Sequence, residues 1–169
     1  MAKNFQKTGM AAKFTYRGQT DLLKNYMTNS KIKLTSYDRQ IIEARTDGFS
    51  FCEMSQDEMT WSIDQILVRG VAIYGCTVPD SDFLAGFFNE EFTRFIVEFG
   101  YSEFTLQEIL FAMQLNCQPD VSYPSGNHVE PIPFSGVYFN VAFLAKILNQ
   151  YKHLRAGVER KIQNYLDGY

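Results

Sequence analysis

Two histidines, His128 and His153, and three cysteines, Cys52, Cys76 and Cys117, carry the side chains best suited to metal ligation or nucleophilic chemistry. A structural zinc site draws four ligands from closely spaced pairs. None of these five residues forms a C-x-x-C or H-x-x-x-H pair. A thiolate–imidazole couple such as Cys117 with His128 needs a base held against the nucleophile, and no flanking signature marks one here. The odd, widely spaced cysteines instead read as buried free thiols behaving as small apolar groups. The carboxylate pair Glu90-Glu91 falls in a helical run. Adjacent helix positions point apart and cannot converge on one substrate, so the pair reads as a solvated face. The chain has no G-x-x-x-x-G-K-[ST] phosphate loop and no G-x-G-x-x-G after a strand. "GFSFCEM" lacks the G-x-S-x-G elbow of a serine hydrolase. Tyr123, Tyr138, Tyr151, Tyr165 and Tyr169 have faces on which bases stack. Their loop lacks interleaved basic residues, so core and interface packing is the reading kept. The expectation is a protein without enzymatic activity, cofactor or metal.

Charge is more informative than any single motif. The 169 residues sum to −3. Residues 1–45 carry nine Lys/Arg against three Asp/Glu, residues 46–120 two against thirteen, and residues 121–169 five against three. An acidic middle between basic ends implies charge-complementary contacts, within the protein or between subunits. The basic end has neither an Arg-rich run nor a nucleic-acid readout motif. Apolar residues make up 46% and aromatic residues 15%, which places the chain among globular proteins and outside the disordered class. The longest apolar runs, VRGVAIYGCTV and VYFNVAFLAKIL, fall short of the roughly 20 residues that span a bilayer. The N-terminus has no apolar stretch before a cleavage site. These features lead to an expected location in the host cytoplasm or, alternatively, in a virion.

The elements that must position these residues are helices. Residues 1–18 read as an extended arm and residues 19–169 as one helical domain. "SYDRQIIEAR" predicts a helix over about 36–45, with Thr35 or Ser36 as N-cap and Ile41 and Ile42 inward. Ser55 with Glu58 forms a capping box, S-x-x-E, opening a helix to about Tyr74 with a stop at Gly75. Gly70 in its middle allows a close crossing. Asp80 is the expected cap of the next helix, in which Leu84, Phe88, Phe92, Phe95 and Phe99 draw one stripe, and Gly100 is a natural stop. Thr105 with Glu108 is a second capping box, for a helix ending near Asn116. Residues 117–136 form a long loop holding four of the five prolines, with a short strand or hairpin between Val129 and Phe134. Asn140 caps VAFLAKILNQYKHLRAGVERKIQNYL, about 26 residues and about 39 Å, long enough for its end to project towards a partner. The expected fold is all-α: a compact helical bundle with an N-terminal arm, one Pro-rich loop and a long C-terminal helix. Its expected core contains Trp61, Ile66, Leu84, Phe88, Phe92, Phe95, Leu106, Ile109, Leu110, Leu144, Ile147, Leu148 and Tyr151.

The segment from Phe92 to Arg155 also resembles a loose pattern, [YF]-x-x-[LF]-T-x-x-E-I-x-x-A, then a variable loop, then an aromatic-rich helix ending in Y-x-x-x-R. Here the parts read "EFGYSEFTLQEILFAMQLN" and "FNVAFLAKILNQYKHLR". The pattern is similar to small replication accessory proteins of bacteriophages and mobile elements, helicase loaders among them. The resemblance implies action by protein–protein binding and brings no catalytic residues. Two functional expectations follow: a replication adaptor, or a structural virion or cargo component held by neighbouring subunits. The expected contact residues are the basic ones of the two ends, Lys3, Lys7, Lys13 and Arg17 in the arm and Lys152, Arg155, Arg160 and Lys161 in the last helix. The expected partner is a replisome protein or a second subunit, including a further copy of the chain. Any nucleic-acid contact is expected to be secondary, weak and salt-sensitive, and none with membrane is expected.

Overall fold

Local sequence sets where each helix begins. The structure is a computed structural model and describes residues 20–118, 121–122, 128–129 and 131–168. The arm assigned to residues 1–18 lies outside them. Helix α1 spans Thr20–Thr28. Helix α2, Ser36–Thr46, starts at Thr35, whose hydroxyl accepts from the Asp38 N–H while the Asp38 carboxylate accepts from the Thr35 N–H. A 3-10 turn, Phe51–Glu53, follows. Helix α3, Gln56–Tyr74, opens on the Ser55–Glu58 capping box and stops at Gly75 in the left-handed conformation. Helix α4, Asp82–Glu98, is capped by Ser81 and not by Asp80, with the Ser81 hydroxyl accepting from the Leu84 N–H. Helix α5, Leu106–Asn116, carries the Thr105–Glu108 box. Helix α6, Val141–Leu166, starts at Asn140. Each of these caps satisfies backbone donors that the helix cannot satisfy itself, worth about 1 kcal/mol apiece.

The described residues form a mainly α-helical fold. Two short strands, β1 at Val121–Ser122 and β2 at His128–Val129, pair antiparallel, so the hairpin lies earlier in the loop than its expected place at 129–134. Helix α5 sits at the centre and packs against α2, α3 and α6. It buries Leu106, Ile109, Ala112, Met113 and Leu115. The return of the loop is tied to it: the Asn116 carboxamide donates to the Ile132 carbonyl and accepts from the Ile132 N–H at 2.8 Å.

Gly70 is the close crossing its position in α3 suggests. A Cβ there would lie 2.4 Å from Cδ1 of Phe139. Phe139 is itself held by stacking on Tyr74 and Phe92 and by the edge of Phe143. A buried aromatic group thus stands directly on the α3 backbone.

Several expected core positions sit elsewhere. Trp61 is 59% exposed, and Phe99, expected in the α4 stripe and not in the core, is 65% exposed. The inward face of α3 is instead Ser62, Ile63, Ile66 and Gly70. Trp61 and Ile63 are two residues apart, about 200° around the helix, and cannot share a face. Phe99 lies at the C-cap of α4, beyond the last inward turn. Leu84, Phe88 and Leu110 are half-buried. Ile66, Phe92, Phe95, Leu106, Ile109, Leu144, Ile147, Leu148 and Tyr151 are buried as expected. Of the cysteines only Cys76 is buried, while Cys52 and Cys117 are exposed.

The end of α6 does not project. Ile162 is fully buried. Lys161 pairs with Asp38 at 2.5 Å, and Asn29 donates to the Tyr165 hydroxyl at 2.9 Å. The helix is long because it runs the length of the core and then packs against α2 and reaches Asn29, just beyond α1.

Candidate functional site

Three features of the molecule have the chemistry of a site. The first is a buried polar cluster between α5 and α6. Glu108 is fully buried, with its Oε1 3.2 Å from Nε of Arg155. The Tyr151 hydroxyl donates to the same oxygen at 3.4 Å, and the Thr105 N–H donates to Oε2 at 3.1 Å. The Thr105 hydroxyl donates to the Ala44 carbonyl of α2 at 2.6 Å. The Arg155 guanidinium lies 4.5 Å over the Phe104 ring. Arg45 joins from α2 and pairs with Glu159 at 2.5 Å. Burial pushes the Glu108 carboxyl above its ordinary range, with Arg155, Arg45 and the Thr105 N–H pulling the other way. Burial likewise raises the Tyr151 hydroxyl and lowers Arg45. The motif residues Tyr101, Phe104, Thr105, Glu108, Tyr151 and Arg155 thus converge on one knot. Tyr101 contacts the edge of Phe104, and Phe104 that of Tyr151. Glu108 has no exposed surface, so the cluster is closed to substrate and its chemistry is that of a tie between helices.

The second feature is an open groove of about 730 Å³ between α1, α2, α3 and α5. Ile73, Leu110 and Phe111 give it an apolar floor. Lys24, Arg69, Glu43 and Asp47 also line it. Its charges balance, and its one thiol, Cys117, has no histidine beside it among the lining residues.

The third is the outer face of the α3–α4 pair. Asn89 clamps the two helices, donating to the Thr60 carbonyl at 3.1 Å and to Oδ1 of Asp64 at 2.8 Å. On the side opposite the buried Ile63, Ile66 and Gly70, α3 turns Trp61 and Val68 to solvent. On the side opposite Phe92, Phe95 and Ile96, α4 turns out Phe83, Phe87 and Val97. Phe83 is 84% exposed. Residues 56–98 hold eight Asp/Glu and two Arg, a net −6. The helix pair therefore combines exposed aromatic side chains with a net negative charge. Its capacity is for burial against a complementary surface, with the ring faces and carboxylates both available to cations.

The basic residues expected to make contact are placed as follows. Lys3, Lys7, Lys13 and Arg17 lie outside the described residues. Lys152 is half-buried, its Nζ 4.2 Å over the Tyr101 ring. Arg155 is buried in the cluster, which corrects the expectation that it extends beyond the packed core: the Glu108 carboxylate and the Phe104 face hold it inside. Lys161 is engaged by Asp38. Arg160 is exposed. The structure does not gather these side chains into one surface. The outer face of α3–α4 was not anticipated. Its signal in the sequence is Phe87 beside Phe88, since neighbouring rings on a helix cannot both reach the core. Among the described residues no cluster of three His, Cys, Asp or Glu could hold a metal ion, and no helix is long and apolar enough to cross a membrane. No family model, curated protein or solved structure matches the chain.

Proposed function

We propose that the chain is a non-enzymatic accessory protein that works by binding another protein through the outer face of α3 and α4. The observation that carries this reading is that the two paired helices leave large apolar side chains exposed on the sides away from the core, Trp61 and Val68 on α3 and Phe83, Phe87 and Val97 on α4. Exposed apolar groups in one place mark interaction surfaces, and Trp is the residue most often found at their energetic centre. The net −6 of residues 56–98 specifies the partner's chemistry: a basic surface carrying apolar groups. The resemblance of residues 92–155 supports the finer reading of a phage or mobile-element replication adaptor of the helicase-loader kind. Its motif residues build the scaffold, and the exposed face reads the partner.

The test is a pull-down from the native host with the full chain and with the triple variant Trp61→Ala/Phe83→Ala/Phe87→Ala, at low and high salt and after nuclease. One defined protein, retained after nuclease and lost with the triple variant, is the expected result. Identification of a replisome protein supports the finer reading, and a particle subunit replaces it. Equal recovery by both forms rejects the face as the binding site.

A further inference from the structure

Helix α5 packs against α2, α3 and α6, yet one stripe of it stays open to the groove of about 730 Å³. That stripe is Gln107, Leu110, Phe111 and Gln114, at i, i+3, i+4 and i+7. Helix α2 adds Gln40, Glu43, Ala44 and Asp47 at the same spacing, and α3 adds Arg69 and Ile73, one turn apart. Hydrogen bonds tie both walls to the floor helix. At the start of α5 the Thr105 hydroxyl donates to the Ala44 carbonyl of α2 at 2.6 Å. At its other end the hydroxyl of Tyr74, the last residue of α3, donates to the Met113 carbonyl at 3.3 Å and accepts from the Asn116 carboxamide at 3.1 Å. Phe111 in the floor meets the Tyr151 ring edge to face. The groove is thus preformed, as ligand sites usually are, and its volume lies within their range of roughly 300–1,000 Å³.

Form and charge specify the occupant. The stripes on α2 and α5 each run about 10 Å along their helices at 1.5 Å per residue, close to two helical turns. A third helix laid against them meets side-chain ridges at the spacing with which helices interdigitate. Glu43 and Asp47 stand on α2, Arg69 on α3 and Lys24 on α1. All four are exposed, and among the described residues none of them is held in an ion pair. Ile73, Leu110 and Phe111 are half-buried. Such a lining suits a segment with one apolar stripe inward and its charged flanks in solvent. We propose that this groove docks a helical segment of a partner protein. Its apolar side chains, at i, i+3 or i+4 and i+7, lie on Ile73, Leu110 and Phe111, its basic residues face Glu43 and Asp47, and an acidic residue faces Arg69. Anchors at that spacing are the mark of helix-in-groove recognition. None of the exposed apolar side chains of the outer α3–α4 face lines the groove, so the inference does not rest on that face.

The experiment is selection of displayed peptides of random sequence on the full chain. Synthetic copies of the recovered peptides are then titrated, by fluorescence anisotropy, with the native chain, with Gln107→Trp/Gln114→Trp and with Glu43→Lys/Asp47→Lys. Gln107 and Gln114 are exposed, so the first variant closes the groove from its floor and leaves the core in place. The expected peptides carry an apolar stripe of helical period with basic residues on one flank. Their binding should weaken by at least about tenfold, equivalent to ~1.4 kcal/mol, in each variant. Versions with those basic residues changed to Glu should bind Glu43→Lys/Asp47→Lys more tightly than they bind the native chain. A variant that had lost its fold cannot produce that gain. Recovery of no peptide, peptides of period two, or binding indifferent to both variants overturns the proposal. Peptides lost with Trp61→Ala/Phe83→Ala/Phe87→Ala but retained by Gln107→Trp/Gln114→Trp belong to the outer face, and the groove inference then fails while that face stands.

Discussion

Individual side chains decide more here by where they cannot go than by what they attract. Gly70 is the sharpest case. Alanine has the better intrinsic helix propensity, by about 1 kcal/mol. A methyl group at this position would nonetheless meet Phe139 at 2.4 Å, and that ring is itself stacked between Tyr74 and Phe92. Gly70→Ala should therefore destabilise the protein by about 1–3 kcal/mol net, read from urea midpoints; a gain in stability would mean that Phe139 swings away. Glu58 gives a pH prediction. The Ser55 backbone N–H and hydroxyl both donate to its carboxylate and hold it below the ordinary value of 4.5. A carboxyl depressed in the folded state contributes stability above its unfolded value, and that stability is lost as pH falls below 4.5. Glu58→Gln should flatten the stability–pH curve in that acid window and leave its shape above pH 6 unchanged, which a series of urea titrations would establish. A variant curve parallel to the native one throughout would show the capping contact to be absent in solution.

At the scale of elements, the tie between α5 and α6 is the clearest device. Thr105, Glu108, Tyr151 and Arg155 lie on two helices separated by the Pro-rich loop, and a third helix joins through Ala44 and Arg45. Removing one partner strands the other's charge, which for a buried pair costs about 3–5 kcal/mol. Arg155→Met should cost that much, and Glu108→Gln should cost less when added to Arg155→Met than when made alone. A double-mutant cycle measures the coupling, expected to exceed about 1 kcal/mol; additive effects would reduce the cluster to independent caps. The elements themselves were legible in sequence because their signals are local. Ser55, Thr105 and Asn140 stand at three helix starts, and Gly75 at a stop, all read from neighbouring residues. The knot was visible as a pattern, Y-x-x-F-T-x-x-E and Y-x-x-x-R, but its convergence was not. The pairing of Glu108 with Arg155 is fixed by how α5 and α6 cross, and residue spacing alone carries no such term. For the same reason Arg155 read as a solvent-facing cation; Trp61 read as core for a different one, the helical phase that separates it from Ile63 having been overlooked.

For the whole molecule, the segregation of charge resolves into two parts. Some of it is satisfied internally, by Glu108 of the acidic middle with Arg155 of the basic C-terminal part. The helix pair α3–α4 keeps a net negative charge and exposes large apolar side chains, and this combination defines the proposed binding surface. A surface role and a structural role separate in their energetics. The triple variant Trp61→Ala/Phe83→Ala/Phe87→Ala should change stability by no more than about 0.5 kcal/mol per site, as surface substitutions do. Phe95→Ala on the inner face of α4 should cost about 3–5 kcal/mol. Chemical denaturation of the two proteins side by side makes the comparison, and equal losses would place both faces of α4 in the core.

The most direct measurement on the binding surface is site-specific photo-crosslinking in the native host. A photoreactive benzoyl-phenylalanine replaces Phe83 in one form of the full chain and Arg160 on α6 in another. The account predicts a discrete protein adduct from position 83, absent from position 160 and reduced by an excess of the native chain. No adduct from position 83, or the same adducts from both positions, would contradict it.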